Sequence, residues 1–335
     1  MIDFKFENHS ILPKYRQMMN TIVKMVNDGA LQKGDKLPSC NELYNDFGIS
    51  QDTVYKAYNE LKKNGLVASK VGKGFFIQNN NIELGHNVFV FFDTLNAYKE
   101  ELYDALKQGL KKRGTESIFF HHNNAKTFKT LLESAIGEYS EFVIMPIADK
   151  MAMEVLELLP KDKVYILDRA THEVKRKYSY ICQSFEMDIY QILNDNKQAL
   201  NQYKRVLLSI RHNNGHFKEI IRGFRSYCKK NSINHEVIFD TSNYEAQIGD
   251  LFIVVDDKDL ITILKKVQNK GLEIGSEIGI ISYNETPLKE VIANGITTIS
   301  TDFTQMGKSM ANLIITSAKQ KIHNPFIILK RNSFK

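Results

Sequence analysis

The sequence predicts a small α+β head at about residues 9–77, followed by a larger α/β body of two subdomains at about residues 87–335. In the head, apolar residues recur at helical spacing before and after a turn at Gly48, and a short ribbon follows. In the body, continuous apolar runs alternate with helical stretches, which is typical of parallel sheets covered by helices on both faces. A chain of 335 residues is long enough to bury two or three separate cores.

Three helices are predicted in the head. The first spans residues 13–27, because its apolar residues fall on one face at helical spacing. The second begins at Ser39, which together with Glu42 three residues later has the pattern of a capping box. The third begins at a second capping serine, Ser50, and ends before Gly65. The turn between the second and third helices predicts a helix-turn-helix unit.

A hairpin and a linker are predicted after the helices. Residues 66–77 form a two-stranded ribbon that turns near Gly72-Lys73-Gly74, because glycine adopts positive φ at low cost. A helix-turn-helix with such a wing places a helix in the major groove of DNA. The polar stretch at 78–86 lacks core residues and predicts a linker to the body.

The body is predicted to contain about four strands on each side of a less regular segment, residues 168–200. This arrangement favours two α/β subdomains over one large sheet. The predicted elements are strand 88–92, helix 97–113, strand 117–120, helix 126–137, strand 142–147, helix 149–158, strand 163–167, strand 205–210, helix 216–230, strands 236–239 and 251–255, helix 257–270 and strand 278–282.

The bulk properties indicate an intracellular protein that tolerates a nucleic-acid partner. The formal charge is +6, and the stretch from Lys62 to Lys73 holds four lysines and no acid, which suits contact with phosphates. Three distant cysteines without metal-ligand spacing suit a reducing cytosol, and no metal or cofactor is expected. We find no signal segment and no apolar run of membrane-spanning length, so a cytoplasmic location is expected.

The head resembles the winged-helix domain of the GntR (gluconate repressor) family over most of residues 13–77. The matching positions are Gly29-x-Leu31-x-x-Gly34-Asp35-x-Leu37-Pro38-Ser39, Glu42-Leu43, Gly48-x-Ser50-x-x-Thr53-Val54, Leu61-x-x-x-Gly65-Leu66 and Gly72-x-Gly74. So many fixed spacings make this resemblance specific.

The body resembles the sugar-sensing domain of the LacI family, which is similar to periplasmic sugar-binding proteins. The resemblance implies an N-subdomain at about 87–177 and 302–322 and a C-subdomain at about 178–301 and 323–335. The matching stretches are Val254-Val255-Asp256-Asp257, Gly271-Leu272-Glu273-Ile274-Gly275, Ile278-Gly279-Ile280-Ile281-Ser282-Tyr283-Asn284, Thr297-Thr298-Ile299-Ser300-Thr301-Asp302-Phe303 and Met306-Gly307, with weaker matches at Leu167-Asp168-Arg169, Arg222-Gly223-Phe224 and Lys330-Arg331-Asn332-Ser333.

The GntR resemblance implies which residues approach DNA. These are Ser39, Asn41, Ser50, Gln51, Thr53 and Lys56 at the groove, with Lys70, Gly72 and Lys73 in the wing. Hydroxyls and lysines suit phosphates, and Gln51 has the groups that pair with adenine. The two serines can equally serve only as helix caps. The family usually carries Glu-Arg at Cys40-Asn41 and Arg at Gln51, so the base preference at these positions stays open.

Candidate effector residues lie at the ends of predicted strands. Asp93, Asp168, Asp256 and Asn284 each follow an apolar run, and ligands of open α/β sheets bind at the carboxyl ends of strands. The LacI resemblance aligns Asp256 and Asn284, and also Asp168 with Arg169, with sugar ligands. The alternative is that strand-end acids cap the next helix, which is the role expected of Asp257.

One family position departs from the pattern, because Ile220 stands where the family usually has a sugar-gripping arginine. Lys218 or Arg222 on the same helix are candidates to replace it, and His216 near the start of that helix is a further candidate. Tyr98 and Phe185 are candidates to stack on a sugar ring, although most aromatic residues in such chains belong to the core.

These observations predict a transcriptional regulator, most simply a repressor, that binds operator DNA as a homodimer and responds to a monosaccharide. An activator, or a sensor of a purine or a sugar phosphate, is the alternative within this class. An enzyme is disfavoured, because we find no phosphate loop, no Ser/His/Asp order and no metal spacing.

Overall fold

The computed structural model describes residues 2, 4–7, 12–79, 85–111, 113–211 and 217–335. The middle of the predicted linker, residues 80–84, and the candidate His216 lie outside the described residues. The chain divides into two compact units. The first comprises Met1–Thr94, Lys107–Ser179 and Ala311–Gln320, and the second comprises Leu95–Leu106, Tyr180–Met310 and Lys321–Lys335. The limits predicted for the head, the linker and the subdomains stay predictions.

The head is a three-helix unit with a β wing. Its elements are α1 (Lys14–Asn27), α2 (Cys40–Phe47), α3 (Gln51–Lys63), β1 (Val67–Lys70) and β2 (Gly74–Ile77). The two strands are antiparallel, and Lys70 pairs with Gly74 across the turn. Met18, Ile22, Val54 and Leu61 are fully buried between the helices, as the helical spacing predicts.

The first unit contains most of a six-stranded sheet of order β13-β7-β6-β5-β3-β4. Its hydrogen-bonded pairs β3–β4, β3–β5 and β5–β6 are parallel. The strands of this sheet and the elements that connect them along the chain are β3 (His86–Phe92), α4 (Ala97–Leu110), β4 (Gly114–Phe120), α5 (Ala125–Ala135), β5 (Glu141–Ile144), α6 (Lys150–Leu156), a 3-10 turn (Lys161–Lys163), β6 (Val164–Asp168), α7 (His172–Lys177) and β7 (Ser179–Cys182), with β13 (Lys321–His323) at one edge.

The second unit contains a six-stranded sheet of order β14-β12-β11-β10-β8-β9, in which only the edge strand β14 is antiparallel to its neighbour among the described residues. Its elements are α8 (Phe185–Asp195), α9 (Lys197–Leu200), β8 (Arg205–Ser209), α10 (Phe217–Lys230), β9 (His235–Ile238), β10 (Asp250–Val254), α11 (Asp257–Asn269), β11 (Gly279–Tyr283), α12 (Pro287–Val291), a 3-10 turn (Ile292–Asn294), β12 (Thr297–Thr301), α13 (Phe303–Ile315) and β14 (Phe326–Leu329).

The predicted fold class is confirmed, while the number of strands was too low. Residues 168–200, expected to be less regular, contain α7, β7, α8 and α9, and the C-terminal part adds β12, β13 and β14. Several of these elements have only three or four residues, which is too short for an apolar period to stand out.

Gly223 shows why the weak family match around it matters for packing. A Cβ atom at this position would lie 2.2 Å from the carbonyl oxygen of Glu186. The absence of a side chain therefore allows α10 to lie directly against α8. Phe224 and Tyr227 on the same face of α10 are fully buried in the core of the second unit.

Candidate functional site

The two capping serines of the head perform the capping role that the sequence predicts. The backbone amide of Glu42 donates to Ser39 Oγ at 3.2 Å, and the Ser39 amide donates to the Glu42 carboxylate at 2.6 Å, which completes a capping box. This backbone bond lowers the pKa of Glu42. Ser50 Oγ accepts from the Thr53 amide at 3.4 Å and lies 2.8 Å from Thr53 Oγ1. Both serines are exposed, so capping leaves them on the surface where DNA contact is expected.

The exposed start of α3 is joined to the start of α2 by side chains. Gln51 Nε2 donates to Asn41 Oδ1 at 2.9 Å, although the two residues are 10 positions apart. The Tyr55 ring packs edge-on against Phe75 of the wing at 6.2 Å. Partial burial raises the pKa of the Cys40 thiol, so Cys40 stays neutral at pH 7. Two predicted DNA-contact residues, Asn41 and Gln51, are thus brought together.

The wing presents a small basic and apolar tip. Gly72 and Gly74 have φ values of 70° and 100°, as the predicted turn requires. Lys70 lies over the Phe76 ring at 4.8 Å, and its carbonyl accepts from the Lys73 amide at 3.0 Å. Val71 at the tip is fully exposed. The predicted wing residues therefore share one tight turn.

Other lysines of the same stretch are engaged within the head. Lys62 Nζ donates to Ser69 Oγ at 2.7 Å, and Lys63 Nζ donates to the Glu60 carboxylate at 2.6 Å. Both contacts lie on the exposed surface, where ion pairs contribute little to stability. The basic character at the wing itself therefore comes from Lys70 and Lys73.

Lys56 contacts the body in this structure. Its Nζ lies 3.7 Å from the Glu138 carboxylate and 4.0 Å from the centre of the Tyr15 ring. Arg16 also donates to the Glu138 carbonyl, at 2.7 Å. A residue predicted to bind a DNA phosphate is thus paired with an acid of the first unit. Half of each side chain in the Lys56–Glu138 pair is exposed, so a phosphate can compete for Lys56.

At the carboxyl edge of the first sheet, Asp93 and Arg169 form an ion pair. Arg169 Nη2 donates to Asp93 Oδ2 at 2.9 Å and to Asn123 Oδ1 at 3.1 Å. Asp168, the last residue of β6, is buried and has a left-handed φ of 69°. The structure therefore brings the predicted residues Asp93, Asp168 and Arg169 to one edge and adds Asn123.

A buried histidine holds the loop that carries Asn123. His121 is fully buried, its Nε2 lies 2.9 Å from the Met145 carbonyl, and its Nδ1 accepts from the Asn123 amide at 3.2 Å. These contacts require a neutral ring protonated at Nε2, because Nδ1 serves as an acceptor. His121 therefore positions Asn123 beside Arg169.

At the carboxyl edge of the second sheet, the expected helix cap was assigned to the wrong residue. Asp256 caps α11, since its Oδ1 accepts from the Lys258 amide at 2.9 Å. Asp257 is the first helical residue, and its carboxylate pairs with Lys289 Nζ at 2.8 Å. The physical reason is that Asp256 has extended backbone angles, φ −104° and ψ 133°, which a cap needs.

Lys289 is buried beneath this edge and holds Asn284. Its ammonium donates to the carbonyls of Tyr283 at 2.9 Å and Asn284 at 2.8 Å. Asn284 has a left-handed φ of 62°, a conformation that asparagine tolerates better than most residues. Lys289 therefore fixes the backbone that presents the Asn284 side chain.

Arg211 adds a second ion pair at the same edge. Arg211 Nη2 donates to Asp259 Oδ1 at 2.6 Å, and its Nε lies 4.0 Å from Asp256. The Asp259 carboxylate is buried and also accepts from Thr241 at 3.1 Å and from Ser209 at 3.3 Å. Three side chains thus donate hydrogen bonds to this buried carboxylate, which orients Arg211.

The remaining candidates lie in varied surroundings. Phe185 is buried in the core of the second unit at the start of α8, and Tyr98 stacks on Phe303 at 4.8 Å. Lys218 is exposed in the first turn of α10. Ile220 is buried on the opposite, core-facing stripe of that helix, which explains why an apolar residue occupies this position. Roles for these residues in effector binding stay predictions.

Three residues at these edges were not identified as candidates from the sequence. Arg211 follows the predicted strand 205–210 directly, so the strand-end rule that selected Asp93 also applies to it. Asn123 lies a few residues beyond a predicted strand, in a loop with left-handed φ values at His122 and Asn123. Lys289 carries no local signal, because its burial depends on how α12 packs.

Comparisons with known proteins agree with this geometry. Residues 14–77 match the family model of bacterial regulatory proteins of the gntR family. The head is a GntR-family domain. Residues 201–328 match a periplasmic binding protein-like domain, so the chain joins a GntR domain to a domain of that type. This confirms the two resemblances on which the predicted fold class rests.

A curated relative matches nearly the whole chain. The arabinose metabolism transcriptional repressor of Geobacillus stearothermophilus is 22% identical over an alignment of 364 residues. This alignment covers 97% of this chain and 98% of the relative. The likeness thus includes the order of the GntR domain and the body. At this identity the residues that bind a small molecule need not be shared.

Two solved structures share the fold of the body. One is a periplasmic binding protein/LacI transcriptional regulator from Alkaliphilus metalliredigens complexed with D-xylulofuranose, with a TM-score of 0.58 and 12% identity over 75% of this chain and 100% of that chain. The other is a dimeric Lac repressor with an 11-residue C-terminal deletion, with a TM-score of 0.61 and 16% identity over 74% of this chain and 98% of that chain. These likenesses show the fold alone.

Neither a membrane-spanning helix nor a metal-binding cluster is found in the part of the chain that the structure describes. No helix there combines the length and the apolar character needed to cross a bilayer. Within the same residues, no three His, Cys, Asp or Glu side chains are grouped so that they can hold a metal ion.

Proposed function

We propose that the protein is a sugar-responsive transcriptional repressor that acts on DNA in the cytoplasm and has no catalytic role. The GntR domain binds the operator through the exposed starts of α2 and α3 and through the wing. The observation that carries the proposal is the clustering of charged and amide side chains at the carboxyl edges of both sheets of a periplasmic-binding-protein-like body. The repressor relative from Geobacillus stearothermophilus, alike over 97% of this chain, supports the same function.

The electrostatics of these edges favour a neutral monosaccharide over a sugar phosphate. Arg169 is paired with Asp93, Arg211 with Asp259 and Lys289 with Asp257. A phosphate would have to displace a carboxylate from one of these cations, which costs free energy. A neutral sugar does not have to displace these ion pairs, because its hydroxyl groups both donate and accept hydrogen bonds.

The sugar must discriminate between two states to control DNA binding. A shift of the equilibrium from 1:99 to 99:1 requires about 5.5 kcal/mol of differential binding. Closure of a hinged two-lobed body around a ligand is a known way to obtain it. We propose that the sugar-bound state no longer supports binding to two operator half-sites, so the sugar releases the DNA.

A panel of ligands tests the effector class. The purified full-length protein is screened by thermal shift against neutral monosaccharides, their phosphates and nucleobases, and each stabilising compound is then added to a transcription assay on a selected operator. A neutral monosaccharide that raises the melting temperature and restores transcription is the expected result. A response confined to sugar phosphates or nucleobases would exclude the neutral-sugar effector. Transcription that rises when the protein binds would identify an activator.

We further propose that the repressor is a homodimer, because one winged helix reads too few base pairs for genomic specificity. Leu288 and Val291 on α12 are 61% and 72% exposed, and Ile261 on α11 is 47% exposed. Apolar side chains so exposed on adjoining elements suit a second copy of the chain. The shared fold with a dimeric Lac repressor supports this assembly.

Analytical ultracentrifugation tests the dimer surface. The double substitution Leu288→Asp and Val291→Asp should yield a monomer with at least tenfold weaker operator binding, because charges at an apolar interface oppose association. Ile248→Asp, at a residue 54% exposed elsewhere in the same unit, is the matched control. A double variant that sediments as a dimer would exclude this surface.

A further inference from the structure

The bond between Asn41 and Gln51 has a consequence for which base the GntR domain reads. Gln51 is the first residue of α3, and Asn41 is the second residue of α2. Both side chains are exposed, and Gln51 Nε2 donates to Asn41 Oδ1 at 2.9 Å. Residues at the start of a recognition helix are those that contact base edges in the major groove.

The bond leaves Gln51 with one acceptor and one donor. A glutamine amide carries two N–H groups and a carbonyl oxygen, and the contact with Asn41 occupies one of those N–H groups. When the N–H trans to Oε1 makes this bond, the other N–H and Oε1 lie side by side on the same planar group. The major-groove edge of adenine presents the complementary pair, with N7 as acceptor and the N6 amino group as donor.

Guanine does not fit the same arrangement. Its major-groove edge presents two acceptors, N7 and O6, and therefore calls for two donors from the protein. Gln51 has only one free N–H while Asn41 holds the other, and its Oε1 would face O6. The bond with Asn41 thus keeps the Gln51 amide from rotating, so Gln51 presents one donor and one acceptor to the base.

Neighbouring contacts hold the two helix starts together. The Ser39 capping box and the Ser50 cap set the first turns of α2 and α3. The Tyr58 hydroxyl on α3 also donates to the carbonyl of Pro38, just before α2, at 2.6 Å. Side chains fixed before binding lose less entropy on contact with DNA, so they discriminate more sharply.

We propose that Asn41 and Gln51 act as one specificity-determining unit that reads the adenine of an A·T pair in each operator half-site. Gln51 makes the bidentate contact, and Asn41 is the positioning residue that orients the Gln51 amide. The proposal rests on the proposed DNA-binding function of the GntR domain. Adenine thereby takes the place of the guanine that an arginine at these positions would contact.

Selection from a random duplex library tests this reading. The full-length protein, Gln51→Arg, Gln51→Ala, Asn41→Ala and the double alanine variant are each used to enrich binding sites, and affinities for the enriched duplex and its single A·T to G·C variants are then measured. Asn59→Arg, an exposed α3 residue on the Lys56 and Glu60 side, adds the same charge as Gln51→Arg and is the matched control. Thermal melting checks that every variant is folded.

The wild-type protein should enrich one conserved A·T pair per half-site and should prefer it to G·C by roughly 5- to 150-fold. Gln51→Arg should change that position to G·C, whereas Asn59→Arg should leave it unchanged. Gln51→Ala should abolish the preference at the same position and Asn41→Ala should reduce it in part, whereas adding Asn41→Ala to Gln51→Ala should have no further effect. Unaltered base selection by Gln51→Arg, or independent effects of the two alanine variants, would overturn the proposal. A wild-type protein that enriches no sequence would refute the proposed DNA-binding function itself.

Discussion

The polar side chains of the head and those at the strand edges of the body differ in how far along the chain their contact partners lie. In the head, most candidate residues are exposed and several are held by contacts a few positions apart, such as Ser39 with Glu42. At the edges of the body, contacts join distant parts of the chain, as Arg169 joins Asp93 across 76 positions. A DNA-binding surface can thus be local in sequence, whereas the strand edge of an α/β sheet depends on the whole sheet.

Because the polar residues of the body are more deeply buried than those of the head, replacing them should destabilise the protein more. Lys289 is 2% exposed and Asp259 is also 2% exposed, while the head residues Asn41 and Gln51 lie on the surface. Removing one partner from a buried polar contact costs more than removing an exposed one, because the other partner is left unsatisfied. Substitutions in the body should therefore affect stability and effector binding, and those in the head mainly DNA affinity.

The largest expected effect follows Lys289→Met in the body. Methionine has a side chain of similar length to lysine, but the substitution leaves the carbonyls of Tyr283 and Asn284 without the ammonium donor. We expect the free energy of unfolding to fall by about 2 kcal/mol, and the affinity for the effector sugar to fall more than tenfold. Chemical denaturation and calorimetric titration measure the two effects. Lys258→Met, at an exposed position of α11, is the control, and equal effects of both substitutions would contradict the positioning role.

A smaller effect is expected for Asn123→Ala. It removes one acceptor of Arg169 and leaves the ion pair with Asp93 in place. The loss of one partly exposed hydrogen bond should weaken sugar binding about fivefold, which corresponds to about 1 kcal/mol. DNA affinity without sugar should not change, as fluorescence anisotropy will show. Unchanged sugar affinity in Asn123→Ala, with exposed Asn269→Ala as the reference, would remove Asn123 from the effector site.

The smallest effect is expected for Lys73→Ala in the wing. Loss of one phosphate contact should weaken operator binding a few-fold and reduce the slope of log affinity against log salt by about one. The effect should be the same for operators of different sequence, because phosphates carry no base information. Lys63→Ala is the control, since that amine is bonded to Glu60 within α3. Identical salt slopes for wild type and Lys73→Ala would show that the wing does not contact phosphate.

The elements of the head were predictable because their signals are short-range. The capping pattern at Ser39 and the glycines of the wing each act within a few residues, and the structure agrees with both. The capping of α11 was less predictable, since Asp256 and Asp257 are chemically identical neighbours. The choice between them depends on backbone angles at the end of β10, which the packed sheet determines.

The burial of aromatic and charged side chains was the least predictable feature. Phe185 looked suitable for stacking on a sugar, yet it packs with Ile189 and Phe224 in the core of the second unit. Lys289 was not singled out from the sequence, yet it is buried against Tyr283 and Asn284. Neither outcome follows from local spacing, because each depends on which helix covers which edge of the sheet.

The sequence alone determined the GntR-type head, the alternation of strands and helices in the body and the strand-end position of Asp93, Asp168, Asp256 and Asn284. Helix caps, turns and apolar periods act over a few residues, so the order of residues is enough to reveal them. Tertiary structure decided which side chains meet. The bond from Gln51 to Asn41, the pair of Arg211 with Asp259 and the place of Lys289 under Asn284 join residues that the chain separates, and only packing brings them within hydrogen-bonding distance.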